Sequence, residues 1–254
     1  MSNPVLFIGC SNPTGTSGIQ ADIKSCQALG GCAMAVPTAL SVQNSHGVTS
    51  LELLPPSLIK AQIKAVLEDI RPSAIKIGLL GAVTVAKAVV EAITPLEGKV
   101  PLIADPELWS SSGLRHDALE ATEHLLPQCL LVTLSLPEAT SLLAEPAMPV
   151  ANLVDALKKR INGAFLLRNT PDNSSKQISW LWNGKRLTSL SVQHAAPLQQ
   201  HGLDGTLAAA ITTELAKGRS LSMASVLAHQ YLQSVIDKSR KLPLCPGKAP
   251  PLCH

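Results

Sequence analysis

The sequence predicts an α/β protein: a doubly wound, mostly parallel sheet with helices on both faces and a small β-hairpin. Three observations lead there. Short apolar runs alternate with stretches of helical periodicity along the chain, the order that repeated βαβ units produce. The 254 residues are 46% apolar and 15% charged, with a mean hydropathy of +0.22, so the chain can bury a large core and disorder is excluded. Aromatic residues number only three Trp, two Phe and one Tyr, which leaves a core of Leu, Val, Ile and Ala, suited to helices packed on a parallel sheet.

The elements follow in order. Residues 5–9 form an apolar strand, 11–18 a turn-rich loop, and Ile19, Ile23, Cys26 and Leu29 recur at helical spacing until Gly30-Gly31 ends the helix. Residues 33–40 read as a second buried strand. Ser57 is expected to cap a helix with Ile59, Ile63, Val66 and Ile70 on one face. A strand at 74–78, a helix at 83–93 and a strand at 100–104 come next. Then follow a strand at 130–132, a short helix after Leu136, a helix at 150–161 and a strand at 164–167. Residues 178–182 and 185–192, joined by Asn183-Gly184, predict a hairpin with a type I′ turn. Helices at 207–216 and 221–238 close the pattern, and residues 243–254, with four prolines, are irregular. No repeat or linker interrupts it, so a single domain over 1–254 is expected.

Charge and cysteine usage exclude several classes. Residues 1–150 carry 8 Lys and Arg against 13 Asp and Glu, while 151–254 carry 13 against 5. A basic second half suits a polyphosphate ligand, yet no dense basic run exists and aromatic platforms are lacking, so nucleic acid is not a partner. Cys10, Cys26, Cys32, Cys129, Cys245 and Cys253 lack framework spacing, which implies reduced thiols and a cytoplasmic setting. No signal peptide opens the chain and no apolar run reaches the roughly 18 residues of a membrane span, so no membrane partner is expected. Cys245, Cys253 and His254 lack the paired short knuckles of a zinc site.

In a doubly wound sheet ligands bind beyond the carboxyl ends of the strands, so the loops there carry the chemistry. The Gly-rich loop 11–18 opens a helix containing Gln20 and Asp22; it either holds an anion or is a tight turn. Ser41-Val42-Gln43-Asn44 offers two side-chain amides to the edge of a heteroaromatic ring, or is a loop held by Asx turns. Asp105 and Glu138 stand at neighbouring strand ends and suit Mg²⁺, unless one of them only caps a helix.

The stretch from Gly9 to Asn44, containing Pro13-Thr14-Gly15-Thr16-Ser17-Gly18-Ile19-Gln20-Ala21-Asp22 and Thr38-Ala39-Leu40-Ser41-Val42-Gln43-Asn44, resembles the hydroxymethylpyrimidine/phosphomethylpyrimidine kinases of thiamine biosynthesis. Lys76-Ile77-Gly78-Leu79-Leu80, Asp105-Pro106, Ser112-Gly113, Leu136-Pro137-Glu138, His201-Gly202, Thr206-Leu207 and Pro251-Leu252-Cys253-His254 continue the likeness in order. The resemblance implies a ribokinase-like fold, ATP as co-substrate with Mg²⁺, and a homodimer. It implies that Cys10, Asp22, Gln43 and Leu79 bind the pyrimidine, and that Thr133, Arg168 and Thr206 meet the nucleotide. Asp105 and Glu138 fall on the metal side, while Gly202 and Gly205 present backbone N–H groups to the phosphoryl.

The same likeness marks departures. Asn12 replaces an acid, Ser135 an asparagine, Ser111 a lysine, and Arg168-Asn169-Thr170 a Lys-Gly-Gly. Gly205 stands where the family has its base, which makes Asp204, one residue earlier, the candidate to take the substrate's proton; alternatively it is the N-cap of the helix at 207. Two further readings follow from these losses and from the likeness: a pyrimidine-binding or regulatory homologue impaired in transfer, and a pyridoxal kinase.

Overall fold

The computed structural model describes residues 3–108, 119–145, 148–169, 176–193, 202–239 and 252–254. Its elements are β1 (Pro4–Ser11), α1 (Gly18–Ala28), β2 (Cys32–Asn44), β3 (Gly47–Leu53), α2 (Pro56–Asp69), β4 (Ala74–Ile77) and α3 (Val83–Ile93). Then follow β5 (Leu102–Ala104), α4 (Leu119–Glu123), β6 (Leu131–Ser135), α5 (Leu136–Leu143), α6 (Val150–Arg160) and β7 (Ala164–Asn169). The hairpin strands β8 (Lys176–Trp182) and β9 (Leu187–Gln193) precede α7 (Leu203–Ala216) and α8 (Leu221–Ser239).

The strands form one sheet in the order β3-β2-β1-β4-β5-β6-β7-β8-β9, parallel from β2 to β7 and antiparallel at both edges. Alternation along β1 sends Leu6 and Ile8 to the core shared with α2, α3, α5 and α6, and Val5 and Phe7 to the opposite core beside α1 and α7. Helix α7 is buried from Gly205 to Ala216, clamped between the sheet, α1 and α8. From β1 the chain runs outward to β2 and then returns to place β4 on the other side. That reversal opens the crevice at the carboxyl ends of β1 and β4.

Four local expectations change. The segment read as a loop at 41–47 is the end of a 13-residue β2 and its turn into β3, an edge hairpin missed because its burial is uneven. Helix α2 starts at Pro56 behind Pro55 and not at Ser57, since proline suits the first turn where its missing N–H costs nothing. The β8–β9 turn is not type I′, because Gly184 alone of its central pair has positive φ. Asn183 Oδ1 instead accepts from the N–H groups of Lys185 and Arg186 at 3.1 and 2.8 Å, so β9 opens at Leu187. Helix α7 begins at Leu203, four residues before the expected start.

Among the described residues, no helix is long and apolar enough to cross a membrane, and Cys10, Cys26, Cys32, Cys129 and Cys253 are free thiols. Ser111, Ser112-Gly113, Thr170, His201, Cys245 and Pro251 lie outside the described residues.

Candidate active site

Charged side chains from β4, β7, the loop after β5 and the first turns of three helices meet at a common point. Lys76 enters from the fully buried β4, where an ammonium is tolerated only if paired. Its Nζ lies 2.8 Å from Asp22 Oδ1 and 3.2 Å from Asp105 Oδ2. Beside it, Arg168 from β7 places Nη1 3.1 Å from Asp105 Oδ1, Nη2 3.3 Å from Glu138 Oε2 and Nε 3.2 Å from Asp204 Oδ1. Among these groups only Asp204 is well exposed, at 45% of its side chain.

Local structure holds the carboxylates. Thr133 Oγ1 donates to Asp105 Oδ1 at 2.6 Å. Ser135 and Glu138 form a reciprocal capping box at the start of α5, and Glu138 Oε1 also accepts the Leu108 N–H at 3.0 Å. Burial would raise the Asp105 pKa, but Lys76 and Arg168 hold it below the ordinary carboxylate range. Burial dominates at Asp22, pushed up to about 6 in spite of Lys76. Glu107, partly buried and held at φ 43°, is pushed up to about 8 by burial and by the nearby Asp105, Asp22 and Glu138. Lys76 and Arg168 are both held charged: burial opposes this, and the surrounding carboxylates outweigh it.

The start of α7 closes the cluster. Gly202, at φ 85°, is its N-cap, and a Cβ there would lie 1.9 Å from the Thr16 carbonyl, so only glycine lets this turn sit on the first loop. A Cβ at Gly205 would lie 3.6 Å from Glu107 Oε1, 3.7 Å from Lys76 Nζ and 3.9 Å from Asp105 Oδ2. Position 205 therefore faces the cluster, while Asp204, one step around the helix, turns to Arg168. The Thr206 N–H already bonds the Gly202 carbonyl, which leaves the N–H groups of residues 203–205 as the donors of this helix end without a partner among the described residues.

On the other side of the crevice, Cys10 and Leu79 pack with Ala39 and Leu108 into an apolar cluster bordered by Leu51. Gln43 stands farther along β2, partly exposed, at the bulge opposite Val48. The first loop is closed on itself. Asn12 Nδ2 donates to Thr16 Oγ1 and Ser17 Oγ at 3.1 and 2.8 Å, and Asn12 Oδ1 accepts from the Thr14 N–H and hydroxyl. Gln20 ties it down by accepting the Asn12 N–H at 2.8 Å and donating to Ser11 Oγ at 2.7 Å.

The expected residues are thus divided between two clusters. Cys10 and Leu79 come together in the apolar one; Asp105, Glu138, Arg168 and Asp204 come together in the charged one. Asp22 sits with the charged group, its Oδ1 engaged by Lys76. Thr133 is fully buried and donates its hydroxyl to Asp105, so it orients that carboxylate; Thr206 is also fully buried. Asp204 is not an N-cap, since Gly202 holds that position. Two residues of the site escaped the sequence reading. Lys76 was visible as the one charge inside an apolar strand; Glu107 looked like any loop acid, because its inward turn depends on a backbone angle.

Whether these carboxylates seat Mg²⁺ is decided by what already surrounds them. Both oxygens of Asp105 face Lys76, Arg168 or Thr133, and both oxygens of Glu138 face Leu108, Ser135 or Arg168. A divalent ion bound directly would have to displace these groups beside two buried cations, so the arrangement does not fit direct coordination.

The family model of phosphomethylpyrimidine kinase matches residues 12–250. The chain is 31% identical over 258 residues to the hydroxymethylpyrimidine/phosphomethylpyrimidine kinase of Rhizobium meliloti, covering 98% of this chain and 96% of that one. It is 31% identical to the thiamine biosynthetic bifunctional enzyme of Arabidopsis thaliana over 98% of its own length, and spans about half (49%) of that longer protein. A solved phosphomethylpyrimidine kinase from Clostridium difficile superposes with a TM-score of 0.77 at 30% identity, over 92% of this chain and 99% of that one. An ADP complex of Bacillus subtilis pyridoxal kinase shares the fold, with a TM-score of 0.87 at 24% identity, over 100% of this chain and 98% of that one.

Proposed function

The chain belongs to the phosphomethylpyrimidine kinase family, and on that premise we propose that it phosphorylates the hydroxymethyl group of hydroxymethylpyrimidine, or its monophosphate, with ATP as donor. The observation that carries this reading is the junction between the apolar cluster of Cys10, Ala39, Leu79 and Leu108 and the open helix end at residues 202–205. A flat heterocycle fits the first; a transferring phosphoryl fits the second, because unpaired N–H groups and the helix dipole stabilise the charge that develops there.

In this account Gln43 supplies the amide that reads the ring edge. Gly202 and Gly205 keep the helix end free of side chains. Asp204, the exposed carboxylate of that turn, takes the hydroxyl proton, and Arg168 holds Asp204 in place through Nε. Asp105 and Glu138 position Arg168 and are not direct ligands of Mg²⁺. The chain acts as one domain in the cytoplasm. Leu40 and Val42 are exposed on one face of the β2–β3 edge, and this apolar surface supports a homodimer.

The test is to incubate purified chain with Mg-ATP and hydroxymethylpyrimidine, with pyridoxal in parallel, and to identify products by mass. Phosphorylated pyrimidine is the expected product. Pyrimidine binding without turnover would make the chain a binding homologue, and preferential phosphorylation of pyridoxal would move it to the pyridoxal kinases.

A further inference from the structure

We infer that the guanidinium of Arg168 takes, on the protein side, the place of a divalent cation: it joins Asp105, Glu138 and Asp204 into a fixed clamp that keeps these carboxylates together without bound metal. The inference deepens the kinase reading and rests on it only for the place of this cluster in the active site.

Three carboxylates from three separate elements converge on one planar cation, which touches Asp105 through Nη1 at 3.1 Å, Glu138 through Nη2 at 3.3 Å and Asp204 through Nε at 3.2 Å. Separated acids gathered around one positive centre are what a hard metal ion would otherwise organise. Arg168 is 3% exposed in its side chain, so its arms to Asp105 and Glu138 are internal and lack the solvent screening of a surface ion pair, while the Asp204 arm reaches solvent. The position has spare bonding capacity. Arg168 Nε and Asp105 Oδ2 are buried without a hydrogen bond of good geometry despite their ionic neighbours, and Thr206 Oγ1, on the first turns of α7, is likewise buried and unpartnered. Arginine suits the task because its fork is always charged and spans several acceptors at fixed angles.

The experiment titrates Mn²⁺ into the full chain without nucleotide, read by loss of the free-ion electron paramagnetic resonance signal. Wild type should leave the signal unchanged through millimolar protein. Arg168→Gln, which frees the three carboxylates, should bind Mn²⁺ about tenfold or more tightly than wild type, the scale of losing one buried charge. Wild-type Mn²⁺ binding abolished by Glu138→Gln would overturn the inference, as would a folded Arg168→Gln chain that binds no more metal than wild type. Should Arg168→Gln not fold, the wild-type titration decides. There, no Mn²⁺ binding by the wild type through millimolar protein supports the inference, and Mn²⁺ binding without nucleotide overturns it. The metal arm needs neither substrate nor turnover, so its failure is separable from failure of the kinase reading.

Discussion

At the apolar end of the cleft, Cys10, Ala39, Leu79 and Leu108 pack beside a half-open strand edge. At the charged end, Asp22, Asp105, Glu107, Glu138 and Asp204 surround Lys76 and Arg168. The first region loses little when one member changes, since burial is non-directional and roughly proportional to area. The second is a network in which each charge compensates its neighbours, and removing one leaves the rest buried and unpaired. One end of the cleft can adapt to a ligand; the other must be complete to exist.

The sharpest way to break this contrast is Lys76→Met, which keeps volume and removes the ammonium shared by Asp22 and Asp105. Its expected cost is about 3–5 kcal/mol in denaturant unfolding, against less than about 1.5 kcal/mol for the volume-conserving Leu79→Met at the apolar end. Equal costs would mean the charged end is not a network.

Gly202→Ala comes next. The positive φ and the collision with the Thr16 carbonyl together should cost about 2 kcal/mol or more and weaken nucleotide binding, because the helix end must move. Thermal unfolding and ATP titration of the variant check both effects.

Glu107→Gln sharpens the electrostatics. A carboxyl that keeps its proton to about pH 8 when folded, against an ordinary 4.5, releases that proton on unfolding at intermediate pH. Its contribution therefore makes stability fall as pH rises between roughly 4.5 and 8, the reverse of the Asp105 contribution, which is lost in acid. Urea midpoints measured from pH 5 to 8 should decline less in Glu107→Gln than in wild type. An unaltered slope would place the Glu107 carboxyl in solvent.

The smallest effect on stability is expected at Gln43→Ala, on the open strand edge. Calorimetry should show hydroxymethylpyrimidine affinity falling about tenfold, from an unsatisfied ring edge, with unfolding shifted by less than about 0.5 kcal/mol.

The same contrast explains what was legible in the sequence. The parallel strands were, because β1 and β5 are continuous apolar runs buried on both faces and β4 breaks its run only at Lys76; β3 was not, since its side chains are only partly buried and Leu51 and Leu53 read like ordinary loop hydrophobics. Cys10 and Leu79 were found together because position in a motif is enough for an apolar wall. The role of Asp22 was harder to read: its partner Lys76 lies 54 residues away and is brought near by the β1–β4 crossover. Asp204 and Gly205 differ by one residue in sequence but face Arg168 and Lys76 respectively, a distinction that exists only once α7 is known to begin at Leu203.

The most direct measurement of the central claim is hydroxymethylpyrimidine-dependent ADP release by wild type and by Asp204→Asn, which retains shape but cannot take a proton. The account predicts turnover in wild type and a loss of about a hundredfold or more in the variant, with pyrimidine affinity unchanged. Full turnover in Asp204→Asn would place the base elsewhere, and no turnover in wild type that still binds pyrimidine would contradict the kinase assignment.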